Sequence, residues 1–495
     1  MRSDGSLPQG ACAQGLKAGW LATMPLPHAP HTLTRRAVFA QAWPIMIGQA
    51  SVPLVGLVDT LIIGRSGSAA ALGGVALAGV AMGAAVIDMV FWSFGFLRMG
   101  LSGLVAQASG AGERDEVDAL LIRGVVMGLT IGAVLMLLTG PIMAVGFLAL
   151  PPGGAVAVPA RAFVAARFYG APAALAGFAV NGWLIGRRQT RLALVLQLAM
   201  NAINVALDTT LVWHFGLGAR GVGLGTAAAE WLALAIGLGL ALGPGGARPR
   251  ALLRRTGLAA VMARDRLARL FVVNRDLMIR TVALLILFTW FANAGARLGA
   301  TTLAANHVLM QFVAIAAFVL DAFALTAEER VGHAIGSGSR GTFDRALRLT
   351  GEFAAIGGAG LSVLLVLAGP WGVAAITTDP HVRATALAYL PFAAVVPLIG
   401  APAWLLDGVF IGATEGRALR NAALISMLAY LACDFALRPF ADSGVWLALL
   451  ISYALRAGNL AVRLPALRAR MAQAGLRAPV ARGLHMASTP DTRAP

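Results

Sequence analysis

The segment from Leu192 to Phe215, LALVLQLAMNAINVALDTTLVWHF, is long and apolar enough to cross a bilayer as a helix, which takes roughly 20 residues. Yet it carries Gln197, Asn201, Asn204 and Asp208. At about 100° per residue these four side chains fall within an arc of roughly 60°, one polar stripe on an oily cylinder. A carboxylate at membrane depth costs on the order of 3 kcal/mol by insertion scales. The stripe must therefore face a protein interior or a watery cavity. Two readings follow: hydrogen bonds that glue neighbouring helices together, or an ion- or proton-binding site of a transporter.

Composition places the whole chain in the same solvent. Of its 495 residues 58% are hydrophobic and only 12% charged, with a mean hydropathy of +0.78. A soluble protein of this size needs far more charge to cover its surface. The net charge of +17 does not point to nucleic acid, because the arginines fall between apolar spans, where topology accounts for them. Cys12 and Cys433 lie far apart and offer neither a disulfide framework nor a metal cluster.

Twelve spans are expected, at 38–63, 71–97, 119–140, 161–185, 192–214, 221–243, 277–297, 303–326, 346–369, 383–411, 418–437 and 444–465. The second and eighth should run on as helix into the following loops. Cations alternate between the connections. One side holds Arg35 and Arg36, the mixed-charge loop 113–118, Arg187, Arg188 and Arg191, the basic stretch from Arg248 to Arg280, Arg340, Arg345 and Arg348, Arg417 and Arg420, and the tail from Arg463. The other holds isolated cations such as Arg65, Arg220 and Arg297. By the positive-inside rule both termini are cytoplasmic. The expected organisation is a flexible cytoplasmic extension over 1–35, with Met24 as an alternative start, and a first lobe over 36–243. A basic cytoplasmic linker follows at 244–274, then a second lobe at 275–465 and a cytoplasmic tail at 466–495.

The two halves are related. At an offset of 226 residues, Gly73-x-x-x-Leu77-Ala78 matches Gly299-x-x-x-Leu303-Ala304. Ala108-x-Gly110-x-Gly112 matches Ala334-x-Gly336-x-Gly338, and Gly182-x-x-x-Gly186 matches Gly408-x-x-x-Gly412. Arg191 falls on Arg417 and Asp208 on Asp434. Six spans plus six, each half entering from the same side, make a parallel repeat about an axis along the membrane normal. The fold class is thus an all-α polytopic membrane protein, two six-helix lobes related by a pseudo-two-fold axis and enclosing a cavity that opens alternately to either side.

Other motifs lead elsewhere and fail. Gly336-Ser-Gly338-Ser-Arg-Gly341 satisfies G-x-G-x-x-G but follows an apolar helix, not a strand, so it reads as a turn. The G-x-x-x-G pairs read as places where helices approach closely. No phosphate-binding loop, H-E-x-x-H or G-x-S-x-G is present, so neither an ATP motor nor an enzyme is visible. Asp59 follows Pro44 and Pro53, which remove backbone hydrogen bonds and make a hinge; a carboxylate beyond a hinge suits a helix whose bending follows protonation. Asp88, Glu230, Asp321, Asp407 and Asp434 are secondary polar candidates, read first as hydrogen-bonding groups inside the bundle. Trp92, Phe94 and Phe96 read as packing or interface anchors.

The strings SVPLVGLVDTLIIGRSG (51–67), FWSFGFLRMGLSGLVAQASG (91–110), NGWLIGRRQTRLALVLQLAMNAINVALD (181–208), NRDLMIRT (274–281), ARLGATTLAANHVLMQF (296–312) and LDGVFIGAT (406–414) resemble the multidrug and toxic compound extrusion transporters, specifically their DinF-like branch, over about residues 35–465. The resemblance implies a twelve-helix, V-shaped exporter of the inner membrane, working by antiport with protons or sodium ions and needing no cofactor. It implies a cation-coupling site at Asp59, at Asn204 with Asp208, and at Thr226. Asp208 and Asn204, with Asn201, belong to the stripe found from helical geometry. Arg65 departs from the pattern, standing where many relatives carry a histidine, and Asp88 and Cys433 match no family role.

On this reading Asp59 and Asp208 take up a proton or a sodium ion as cargo leaves, the first helix bends at Pro44 or Pro53, and the lobes rock. Asn201, Asn204 and Thr226 offer neutral oxygens suited to sodium, so the coupling ion stays open between the two. The expected cargo is an organic, amphiphilic or cationic small molecule, the expected partners are that cargo and the lipid bilayer, and the chain is expected to act as a monomer without nucleic acid. Two alternatives remain: a flippase for lipid-linked precursors of related two-lobed architecture, and a non-transporting scaffold or receptor.

Overall fold

Segments apolar on nearly every face have one way to satisfy their backbone in lipid, the hydrogen bonds of a helix, and the computed structural model is helical throughout its long elements. It describes residues 33–64, 70–243 and 246–486. In order these form α1 (Arg35–Gly64), α2 (Ala70–Ser93), α3 (Phe96–Ala111), α4 (Arg114–Leu137), α5 (Thr139–Ala149), α6 (Ala157–Arg167), α7 (Ala171–Gly186) and α8 (Thr190–Thr209). They continue as α9 (Gly218–Leu242), α10 (Pro249–Val261), α11 (Arg264–Arg297), α12 (Ala300–Gly336), α13 (Arg340–Ile376), α14 (Pro380–Gly412), α15 (Gly416–Ala436) and α16 (Ala441–Met486). Eleven segments are long and apolar enough to cross a membrane, and the thirty-residue α1 lies alongside them. Residues 1–32, with the expected extension, and Arg65 fall outside the described residues.

The expected spans are all largely helical, with differences at several points, one of them a break of the third at Leu138 between α4 and α5. The second breaks at Phe94–Gly95, giving α2 and α3, and the fourth tightens over Phe168–Gly170 between α6 and α7. Much of the stretch expected as a linker is helix: α10 fills its middle, and α11 begins at Arg264, ahead of the apolar run at 277. The last helix runs on to Met486, well past the expected end at 465. In each of the last two cases polar residues continue a helix already nucleated by its apolar part.

Helices α1–α9 form one lobe and α11–α16 the other, joined through α10. Within the lobes α4 packs on α7, α1 on α8 and α8 on α9, while α12 packs on α14 and α11 on α15. Close helix approach follows the repeat. Gly182 and Gly186 of α7 lie against the carbonyls of Arg98 and Ser102 in α3; Gly408 and Gly412 of α14 lie against those of Ala324 and Glu328 in α12. Every one of these eight positions maps onto its counterpart by the same offset. The turns repeat as well: Gly112 and Gly338 take φ of 78° and 67°, while Arg188 and Thr414, also equivalent, take 63° and 55°. The G-x-G-x-x-G string is therefore a helix-to-helix turn, as its context requires.

The lobes meet chiefly through α3 and α12, with α1 against α12 beside them. Gly110 sits on the carbonyl of His333, and Gly336 sits on that of Gln107, a reciprocal pair generated by the pseudo-two-fold axis. Ser102 hydrogen-bonds Glu328, its own repeat mate, so the axis passes between them. This seam closes the end of the bundle where α1 begins and where α3, α7, α12 and α14 end.

Candidate functional site

In the half of the first lobe away from that seam, three helices bring the sequence's polar residues together. Asn204 and Asp208, four apart on α8, share a face, and Asn204 Nδ2 donates to Asp208 Oδ2 at 3.1 Å and to Thr226 Oγ1 of α9 at 3.1 Å. Asp59 of α1 faces Asp208 closely enough to interact directly. Asn204 and Asp208 are buried, at 1% and 0% exposure, and Asp59 is half-buried. Gly225 makes room: a Cβ there would collide with Asp208 Oδ1. Trp213, in the π-helical turn that follows α8, donates to the Ile62 carbonyl at 3.0 Å and ties the far end of α1 to α8.

The hydrogen bonds leave a defined gap. Asn204 spends its amide protons on Asp208 and Thr226, so Oδ1 of Asp59, Oδ1 of Asn204 and Oδ1 of Asp208 are all buried acceptors without a donor. Buried polar atoms are normally satisfied, and adjacent carboxylates repel. A proton shared by the two carboxyl groups, or a small hard cation among these oxygens, answers both conditions. The donor set is all oxygen, which fits sodium chemically; no cluster of three His, Cys, Asp or Glu for a transition metal occurs among the described residues.

The stripe continues along α8. Gln197 Nε2 donates to Asn201 Oδ1 at 3.0 Å, and Asn201 Nδ2 donates to Ser51 Oγ of α1 at 2.9 Å. Gln197 and Asn201 thus belong to a second polar knot, about two turns of α8 from the Asp208 carboxylate at its nearer end. Pro44 and Pro53 lie within α1, whose helix is continuous through both.

The secondary candidates separate. Glu230 is held by Arg167 through two contacts of 2.6 Å. Asp407 pairs with Arg280 at 2.5 Å, and Asp434 with Arg297 at 2.7 Å and Trp290 Nε1 at 2.9 Å. All three are held by charged partners. Asp88 is instead exposed, and Asp321 is half-buried. Two arginines treated as topology are reassigned: Arg297 is not an isolated cation, and Arg280 is a buried partner of Asp407, not a loop charge. Arg167 went unnoticed, though a cation inside an apolar span is itself a signal; it rests on Phe91 at 4.8 Å, and its charge reaches Asp59 and Asp208. Glu329, fully buried between Gln41, Arg188 and Arg330, was also hidden, since it lies where a loop was expected.

Comparisons with known proteins agree with this architecture. The MatE family model matches residues 44–210 and 277–435, one block in each lobe. DNA damage-inducible protein F of Escherichia coli (strain K12) is 33% identical over 438 residues, covering 87% of this chain and 92% of that protein. A probable multidrug resistance protein NorM of Chromobacterium violaceum is 26% identical over 389 residues, 76% of this chain and 80% of that protein. A crystal structure of a MATE in the bent conformation superposes with a TM-score of 0.79 at 15% identity, covering 89% of this chain and 97% of that one. The chain is a multi-pass membrane transporter, not an enzyme, and it belongs to the MatE family of multidrug and toxic compound extrusion proteins, in the branch of the DNA damage-inducible protein F.

Proposed function

We propose that the chain is a secondary active antiporter that exports organic small molecules in exchange for protons or sodium ions by alternating access. The observation that carries this is the set of three donorless oxygens on Asp59, Asn204 and Asp208, buried where a cation of either kind would satisfy them. Cation uptake there neutralises the facing carboxyl groups; α1, which supplies Asp59 and contains Pro44 and Pro53, bends in response; and the α3–α12 seam parts as the lobes rock. The arginine-rich loops support a cytoplasmic seam end by the positive-inside rule, in a bacterial inner membrane. Cargo then enters on that side and leaves on the other.

The test is flux in proteoliposomes of the full chain, using a cationic and an anionic fluorescent dye in parallel. Proton and sodium gradients are imposed in turn, with the Asp59→Asn, Asp208→Asn double variant beside the wild type. Gradient-driven flux of either dye that disappears in the double variant supports antiport. Flux indifferent to both gradients, or unimpaired in the double variant, overturns it and favours a lipid-linked precursor flippase.

A further inference from the structure

We propose that Arg98, with Gln49, Asn181, Thr190 and Gln197, anchors an anionic group of the cargo, a carboxylate or similar oxyanion, in a cavity of the first lobe that Leu325 of α12 borders. Arg98 stands in the first turn of α3, about 20 Å along the helix from its end at Ala111 by the rise of 1.5 Å per residue. A cation at such depth costs several kcal/mol unless it is paired or put to use. The other arginines of the bundle interior are paired: Arg167 with Glu230, Arg280 and Arg456 with Asp407, and Arg123 with Glu116. Arg98 forms no ion pair among the described residues, and its Nη1 is buried without a hydrogen-bond partner. Asp321 and Glu328 act on it only through space, and Glu328 is engaged by Ser102.

The cavity that Arg98 lines has a volume of about 50 Å3, room for an anchoring group and not for a whole drug-sized molecule. Its polar lining is neutral apart from Arg98, its apolar lining comes mostly from first-lobe residues such as Ile45, Ile185 and Leu194, and no carboxylate borders it. Guanidinium, amides and hydroxyl together present donors to an oxyanion, with apolar contact for the body attached to it. An organic cation would meet the Arg98 guanidinium there with no carboxylate on the cavity wall, so this site favours the opposite charge to the cationic cargo expected from sequence.

The same cavity touches the coupling machinery. Gln197 lines it and is bonded through Asn201 to Ser51; Asn201 stands about one turn of α8 from Asn204 and about two from Asp208. Pro44 of α1 lines it too, so a bend of α1 driven at Asp59 changes its shape. The inference rests on reading this cavity as part of the cargo site, and it is tested without any ion gradient, so a failure of antiport leaves it standing or falling by itself.

Binding is measured by isothermal titration calorimetry on the full chain in lipid nanodiscs, with 2-naphthoate, 2-naphthamide and 2-naphthylmethylammonium as probes of one shape and three charges. The wild type should bind the carboxylate about tenfold more tightly than the ammonium, the scale of one charge-assisted contact. Arg98→Gln should erase that preference, Arg98→Lys should restore part of it, and Thr190→Val should weaken the carboxylate a few-fold. Thermal unfolding of each variant separates loss of the site from loss of the fold. Ammonium binding as tight as carboxylate in the wild type, no measurable carboxylate binding, or a carboxylate preference that survives undiminished in folded Arg98→Gln overturns the proposal.

Discussion

Asp208 and Asp434 hold the same position in the two lobes, and the fold treats them oppositely. Asp434 is locked to Arg297 and Trp290, whereas Asp208 faces another carboxyl group and keeps an oxygen without a donor. One copy of the repeat is tied into an ion pair and the other keeps an open acceptor. Asp208→Asn should therefore cut gradient-driven flux at least about tenfold while leaving the folded state in place, because an uncompensated group is being removed. Asp434→Asn should do the reverse, lowering the unfolding temperature by several degrees, on the order of 1–3 kcal/mol for a lost charge-assisted bond, and leaving flux per folded molecule near wild type. Vesicle flux and thermal unfolding on the same preparations check both arms.

Gly225 and Gly239, both on α9, give a sharper pair. A Cβ on Gly225 meets Asp208 Oδ1, while one on Gly239 meets nothing within 4 Å. Gly225→Ala should abolish cation-driven flux. Gly239→Ala should leave flux unchanged and stabilise by up to about 1 kcal/mol through helix propensity. Equal flux in the two variants would contradict the placement of Asp208.

Arg167 and Glu230 form a two-pronged pair at 12% and 5% side-chain exposure. Removing one partner leaves a buried charge unmatched, at a cost of about 3–5 kcal/mol. Arg167→Gln should therefore reduce thermal stability strongly, and adding Glu230→Gln should recover most of it. A double variant no more stable than Arg167→Gln alone would show that the pair does not act as a unit.

Gly110 and Gly336 lie on each other's lobes at the seam. Alanine at either one pushes the lobes apart at a backbone carbonyl, which cannot yield as a side chain does. Each substitution should raise, by about fivefold or more, the rate at which a cysteine placed at Gln107 reacts with an impermeant maleimide, in a background lacking Cys12 and Cys433. The pseudo-symmetry adds a stricter expectation: the two substitutions should act alike.

Much of this protein is local and therefore legible in its sequence. Lipid leaves each apolar span no partner for its backbone but itself, so the twelve helices follow from composition and length. The polar stripe of α8 follows from the helical period, and the tandem repeat follows from glycines kept in register because a Cβ at Gly182, Gly186, Gly408 or Gly412 would strike a backbone carbonyl. What tertiary packing alone decided is which charges are spent. Arg98, Arg280 and Arg297 look alike in sequence, each a cation near a span's edge, yet Arg280 and Arg297 bond carboxylates 127 and 137 residues away, while Arg98 makes no contact ion pair among the described residues. A buried charge is defined by its neighbours, and those neighbours arrive on other helices, so no pattern along the chain distinguishes a neutralised pair from a free site.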